Sequence, residues 1–327
     1  MRKRRFRAER SAGGKQRKQE SNLMLQNPEL HYLDNAATTI VAPDVADVID
    51  KAMREHWANP SSLYAPGARS EEALNAARAV VARSLGCKSR ELYFTSCGSE
   101  GNNMALLGAA LTRKFGKSIV VSGFEHPSVQ KPLERLAAMG YDVTVVAPRP
   151  DGTLDIDEML SHVDRNTILV ACMMVNNEIG TIEPIKELAA VAKAHGVLFH
   201  TDAVQGLGNV PIDVKDLGVD FLSMSAHKIY GPKGVGALYM RKGVRITNFM
   251  HGGAQETKRR AGTENLAGIA GFGKAAELAA ANLEQHIEHS TKLRNYFWEQ
   301  IEANISGVTL NGSREKRHPG NLNVSFD

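Results

Sequence analysis

Val197-Leu-Phe-His-Thr-Asp-Ala-Val-Gln205 and, after a glycine-containing connection, Phe221-Leu-Ser-Met-Ser-Ala-His-Lys228 each begin as a short apolar run and end on polar groups. A buried strand whose last residues turn polar reads as a member of an open α/β sheet, because such sheets bind ligands at the carboxyl ends of their strands. The pattern repeats outward in both directions. Glu91 to Thr95, Ser118 to Ser122, Asp142 to Ala147, Thr167 to Met173 and Gly236 to Met240 are further strand candidates, alongside Val197 to His200 and Phe221 to Ser225. Between them, Glu71 to Leu85, Asn102 to Phe115, Val129 to Met139 and Ile185 to His195 place apolar residues three and four apart, as helices do. Alternation of this kind predicts an α/β fold, a mostly parallel seven-stranded sheet flanked by helices.

Beyond Gly273, Leu293, Phe297, Ile301 and Ile305 recur every fourth residue along a long helical stretch, followed by a loop from Asn311 to Gly320 and a strand-like run from Asn321 to Phe326. This end reads as an incomplete small α+β domain. The expected organisation is a disordered basic tail over 1–29, a large ligand-binding domain over 30–270 and a partial C-terminal domain over 271–327.

Charge is uneven. The formal net charge is +4, yet the residues up to Ser21 hold nine basic and two acidic side chains, a net +7, which leaves the body at −3. Basic character therefore belongs to the tail, and nothing in the body reads as a nucleic-acid surface. For the tail itself, a solvated segment, an over-extended translation start with Met24 as the true one, and a nucleic-acid-binding or organelle-targeting arm all stand open. No run approaches the roughly 20 apolar residues of a membrane span. The three cysteines, Cys87, Cys97 and Cys172, are odd in number with no CxxC pair, which suits a reducing cytoplasm and neither a disulfide framework nor a zinc site. His286 and His289 lie in a polar stretch and read as a solvated helix face, so no metal site is expected.

The polar strand ends carry the chemistry. An ammonium at the end of a buried strand is costly to desolvate, which favours the neutral, nucleophilic amine. Lys228 fits that description, although a strand-end lysine taken alone is more often an ordinary surface charge. Asp202, at the end of the preceding strand, tips the balance, since a carboxylate there can keep a pyridinium nitrogen protonated. Tyr93-Phe-Thr95 leads through a Gly/Ser turn into a helix, a place where free amides favour an anion, or simply a capped helix start. Ser225 and His227 flank the lysine as further donors. His126 is suited either to stacking on a planar ring with proton exchange or to starting a helix ahead of Pro127. Asn176-Asn177-Glu178 offers amide donors at the same edge, or turn chemistry. Gly231-Pro-Lys-Gly234-Val-Gly236 has neither the Walker A order nor GxGxxG and reads as a turn.

Together, Tyr32-Leu-Asp-Asn-Ala-Ala-Thr-Thr39, Thr95-Ser-Cys-Gly-Ser-Glu-Gly-Asn-Asn103, Glu125-His126, Val175-Asn-Asn-Glu-Ile-Gly180, His200-Thr-Asp-Ala-Val-Gln205, Ser225-Ala-His-Lys228 and Arg260-Ala-Gly-Thr-Glu-Asn265 resemble the cysteine desulfurases of the class V aminotransferase group, fold type I enzymes that use pyridoxal 5'-phosphate. The likeness runs from Tyr32 to the last residue. It implies that Lys228 holds the cofactor as a Schiff base, that Asp202 pairs with the ring nitrogen and Gln205 with the ring oxygen, and that His126 stacks on the ring. Gly98, Ser99, Ser225 and His227 would hold the phosphate, Thr263 would reach in from the other subunit of a homodimer, and Asn177 would contact cofactor or substrate. Catalysis would rest on Lys228 and His126. The implied reaction converts L-cysteine to L-alanine, with an enzyme thiolate taking the sulfur for an acceptor protein in iron-sulfur or related pathways.

In that group the sulfur-accepting cysteine and an arginine that grips the substrate carboxylate follow the strand matched here by Asn321 to Phe326, and neither falls within the 327 residues. The chain therefore reads as truncated relative to the group. Cys97, in the presumed phosphate turn, either packs there or acts as a nucleophile. Other readings left open are a selenocysteine lyase, an aminotransferase, and a non-catalytic cofactor-binding partner of a full-length paralogue.

Overall fold

The computed structural model describes residues 31–113, 115–248 and 250–327; the stretch expected to be a tail lies outside them. Seven strands form one sheet: β1 (Leu92–Thr95), β2 (Ser118–Ser122), β3 (Asp142–Val146), β4 (Thr167–Ala171), β5 (Leu198–Asp202), β6 (Phe221–Ser225) and β7 (Gly236–Met240), in the order β1-β7-β6-β5-β4-β2-β3. β2 pairs in parallel with β3 and β4, and β4, β5 and β6 continue the parallel ladder. β7 alone in this sheet runs antiparallel to its neighbours, β1 and β6.

β4 to β7 are buried on both sides because helices cover both faces, whereas the edge strand β3 stays partly exposed. Val120, Val170 and Leu222 point into one apolar cluster, while Ile119, Leu169 and Phe221 point into the other. That alternation follows from the two-residue period of a strand. The helices Ala65–Ser84 and Leu266–Ala281 pack on the first face with Pro43–Glu55, and Gly98–Thr112 with Pro127–Ala138 covers the second. Leu266–Ala281 runs unbroken through the domain boundary expected at residue 270.

Two strand limits differ from the sequence reading for physical reasons. β5 extends to Asp202, because Thr201 and Asp202 still pair with Leu222 and Ser223 despite their polar side chains. The apolar run of β4 outlasts its ladder. Cys172 and Met174 still donate backbone bonds to His200 (3.1 Å) and Asp202 (2.9 Å) of β5, although they no longer pair with β2.

The C-terminal helix Leu283–Asn304 shows the expected period with little burial. Ile301 is 8% exposed, but Leu293 and Phe297 are 53% and 54% exposed, so most of the stripe faces outward. On this helix His286 departs from the solvated reading: it is half-buried and its Nε2 meets Asn209 Oδ1 at 3.0 Å. β8 (Val308–Leu310) and β9 (Val324–Phe326) form a separate antiparallel pair, a shorter strand than the Asn321 to Phe326 run suggested. Among the described residues no helix is long and apolar enough to cross a membrane.

Candidate active site

A cavity of about 440 Å³ opens at the carboxyl ends of β4, β5 and β6, between the start of helix Gly98–Thr112 and the segment Asp34 to Ala37. It is lined by Gly98, Ser99, His126, Asn177, Asp202, Gln205, Ser225, His227 and Lys228, so the residues singled out from sequence converge on one place. Thr263 is the exception. It is exposed and lies outside the cavity of its own chain.

Lys228 ends a 3-10 turn, Ala226–Lys228, that follows β6 directly. The turn is tight: a Cβ on Gly231 would come within 2.7 Å of the Ala226 carbonyl oxygen. Nζ donates to the carbonyl oxygens of Ala36 and, at 2.9 Å, Ala37. Burial lowers the Lys228 pKa below the ordinary lysine value, although Asp202, Asp34 and Glu178 pull it back up. The segment 34–39 closes over this turn. Thr39 donates through both its amide and its hydroxyl to the His227 carbonyl at 2.9 Å, Thr38 Oγ1 lies 3.1 Å from His227 Nδ1, and Gln205 donates to Ala36 O at 2.9 Å.

Asp202, the last residue of β5, is 2% exposed. Its Oδ1 accepts from Val204 N at 2.9 Å and its Oδ2 from Asn102 Nδ2 at 2.6 Å. Burial raises its pKa, opposed by these two bonds and by the charges of His126 and Lys228. The carboxylate thus faces the cavity already fixed in orientation.

Two glycines bring the opposite wall close. Gly236 pairs with both Thr95 and Ser225, and a Cβ there would meet Met224 O at 2.6 Å and the Cys97 backbone at 2.7 Å. A Cβ on Gly98 would meet Val204 Cγ2 at 2.5 Å. Without side chains at both, the first turn of helix Gly98–Thr112 sits beside Ser225, whose buried Oγ has no hydrogen-bond partner among the described residues. A helix start, a serine hydroxyl and an imidazole within one wall suit an anion.

The ambiguous side chains divide their roles. His126 both caps helix Pro127–Ala138, its Nδ1 accepting from Ser128 N at 3.1 Å, and lines the cavity. Asn176 makes the turn, its Oδ1 accepting from Glu178 N and Ile179 N at 2.9 Å, which leaves Asn177 for the cavity. Cys97 is half-buried on the cavity wall. Burial raises the Cys87 thiol pKa to about 12 and that of Cys172 well above the usual value, so neither supplies a thiolate at neutral pH.

Sequence reasoning passed over Asn102, His200, Ser128 and the function of Glu125. Glu125 is 3% exposed; its Oε1 accepts from Ser122 Oγ and, at 2.6 Å, Met173 N, tying the ends of β2 and β4 together. Its Oε2 has no partner among the described residues, and burial pushes the pKa up to about 8. An acid whose pKa is raised on folding holds more protons folded than unfolded between its ordinary value and the raised one, so stability falls as pH rises through that window. Glu125→Gln is expected to remove a slope of up to about 1.4 kcal/mol per pH unit between roughly pH 4.5 and 8. Urea denaturation of both proteins across that range measures it, and identical slopes would contradict the buried, protonated acid.

Residues 31–327 match the family model described as "Aminotransferase class-V". Cysteine desulfurase IscS of Dictyoglomus turgidum is 48% identical over 296 residues, covering 90% of this chain and 75% of that protein, and cysteine desulfurase IscS of Methanosarcina thermophila is 46% identical over 297 residues, covering 90% and 73%. Among solved structures, a "NifS-like protein" superposes with a TM-score of 0.87 at 37% identity, covering 90% of this chain and 81% of the other. "SspA in complex with cysteine" superposes with a TM-score of 0.81 at 34% identity, covering 90% and 83%. On its fold, its converging site and these similarities, the chain belongs to the class V aminotransferase family and, within it, to the cysteine desulfurases.

Proposed function

We propose that the cavity binds pyridoxal 5'-phosphate and that the chain acts on L-cysteine, releasing L-alanine as the substrate sulfur passes to a thiolate, that of Cys97 on the cavity wall or of a thiol from outside the chain, which becomes a persulfide. The observation that carries this reading is the pairing of a half-buried Lys228 with a buried Asp202 at adjacent strand ends, both lining a cavity whose far wall is a helix start.

The residues fit the cofactor. Ser225 Oγ, buried and unpartnered, is a donor awaiting an acceptor, and the space beside Val204 exists only because residue 98 has no Cβ. Gly98, Ser99, Ser225 and His227 would hold the phosphate, Asp202 the ring nitrogen and Gln205 the ring oxygen. When bound, the cofactor supplies an electron sink for the bonds at the substrate Cα. Lys228 would attach it through Nζ and, once released from it, take and return the Cα proton; its lowered pKa favours the neutral amine that both steps need. His126 would lie against the ring and exchange a proton at a ring nitrogen. Asn177 would contact cofactor or substrate.

The same reading extends to a homodimer, in which the exposed Thr263 of one copy completes the phosphate site of the other, and to an acceptor protein that takes the sulfur for iron-sulfur cluster assembly. A reducing cytoplasm suits its three free cysteines.

Titration with pyridoxal phosphate, followed by visible absorbance, tests the cofactor site. Saturable binding is expected. Ser225→Ala is expected to weaken it about 10- to 150-fold, since a hydrogen bond to a charged group contributes about 1.5–3 kcal/mol. Equal affinity for the two proteins would remove Ser225 from the phosphate site.

A further inference from the structure

Asn102 is wholly buried in helix Gly98–Thr112, one turn beyond the presumed phosphate site, and all its polar contacts are to side chains of the functional region. Its Nδ2 lies 2.6 Å from Asp202 Oδ2 and 2.9 Å from Ser128 Oγ. Its Oδ1 lies 3.1 Å from Nε2 of His200, which is also fully buried. Ser128 Oγ in turn lies 2.7 Å from His126 Nδ1.

The direction of each bond follows from elementary valence. His126 Nδ1 takes the Ser128 N–H and has no proton to give, so Ser128 Oγ spends its single proton on Nδ1 and must accept from Asn102; the amide nitrogen of Asn102 therefore faces Ser128 and Asp202, and the amide oxygen faces His200. His200 Nε2 therefore carries a proton. Burial lowers the His200 pKa to about 3, so the ring is neutral and Nδ1 is bare, which agrees with Nδ1 having no partner among the described residues. At the other end, Ser128 N–H, a donor in any state, points at His126 Nδ1 at 3.1 Å, so Nδ1 is an acceptor. Ser128 Oγ accepts from Asn102 and is left to give its own proton to His126 Nδ1. In a neutral imidazole with an accepting Nδ1, the proton resides on Nε2.

We propose that Asn102 and Ser128 are positioning residues, forming a one-way chain of donors from His200 that orients the Asp202 carboxylate and holds neutral His126 as its Nε2–H tautomer. Asn102 thereby couples the two side chains that the proposed function assigns to the cofactor ring, although it touches only one of them. His126 presents an N–H to a ligand as a result, rather than a lone pair. The inference rests on that functional reading only for its purpose; the chain of bonds belongs to the protein itself.

The test uses the cofactor-free protein, so that its outcome is separate from whether pyridoxal phosphate binds. Ring-nitrogen chemical shifts of His126 in histidine-labelled protein distinguish the tautomers. The wild type is expected to show Nε2–H at neutral pH. Ser128→Ala is expected to shift the tautomer ratio about 5-fold toward Nδ1–H, the effect of one lost hydrogen bond. Asn102→Leu is expected to shift it in the same direction without any direct contact to His126. A wild-type Nδ1–H tautomer would overturn the proposal, as would a ratio unmoved by Ser128→Ala. A ratio moved by Ser128→Ala but not by Asn102→Leu would overturn the coupling. Should the buried Asn102→Leu protein fail to fold, Asn102→Ala replaces it in the same measurement with the same expected and overturning outcomes, while the wild-type and Ser128→Ala spectra decide the tautomer.

Discussion

Lys228→Ala is expected to abolish both the visible absorption band that pyridoxal phosphate gains in the wild-type protein and the change that L-cysteine produces in it. Lys228 contributes the amine in the cavity that β6 delivers beside Asp202, at the end of a turn held by Ala226 and Gly231. Alanine removes the nucleophile without disturbing that turn, whose backbone bonds run from Ile229 N and Gly231 N to Ala226 O, both 3.0 Å. The folded state should survive, because the lysine is only half-buried and, among the described residues, its Nζ bonds to the carbonyls of Ala36 and Ala37 alone. Thermal melting of the two proteins checks that separately. A band of undiminished intensity in Lys228→Ala would move the site of attachment elsewhere and sink the assignment.

The second large effect concerns stability. Glu256 stands at φ 44°, the first of three consecutive residues, with Thr257 and Lys258, in the left-handed region that non-glycine residues avoid. Its carboxylate receives Arg78 in a two-pronged pair, at 2.6 and 2.7 Å, and also Phe94 N at 2.9 Å. Both side chains are largely buried, at 14% and 2% exposure, and the guanidinium lies 4.7 Å from the centre of the Phe94 ring. Glu256→Ala leaves the Arg78 charge buried without its partner and the β1 amide without its acceptor. A loss of about 3–5 kcal/mol is expected by urea denaturation. Arg78→Met combined with Glu256→Ala should cost clearly less than the sum of the single changes, because the penalty belongs to the unpaired charge. Additive losses would mean that the two residues act independently.

The pair explains what the sequence reading missed as well as why the loop before Thr263 holds its shape. Arg78 and Glu256 are 178 residues apart, and neither stands out locally. Asn102 is similar. It sat inside the quoted stretch from Thr95 to Asn103, yet its link to Asp202 depends on how helix Gly98–Thr112 lies across β5. Ser128 follows His126 by two residues, and its role was legible only once the histidine ring was seen to accept from it. By contrast, the sheet was readable because buried strands repeat the same local signature, an apolar run ending on polar residues. The cavity was readable because parallel strands bring those endings to one edge. The helical stripe from Leu293 to Ile305 marks the limit of periodicity: it located a helix correctly and overstated its burial, since only Ile301 of the four is buried.

Product analysis tests the desulfurase assignment most directly. The protein loaded with pyridoxal phosphate is incubated with L-cysteine and excess dithiothreitol, and amino acids and sulfide are quantified. The electron balance is simple: the thiol reductant ends as its disulfide, the cysteine carbon skeleton as alanine, and the sulfur as sulfide. L-Alanine and sulfide in equal amounts, both absent with Lys228→Ala, are the predicted result. A loaded protein that yields no alanine, or that releases a 2-oxo acid in its place, would contradict it.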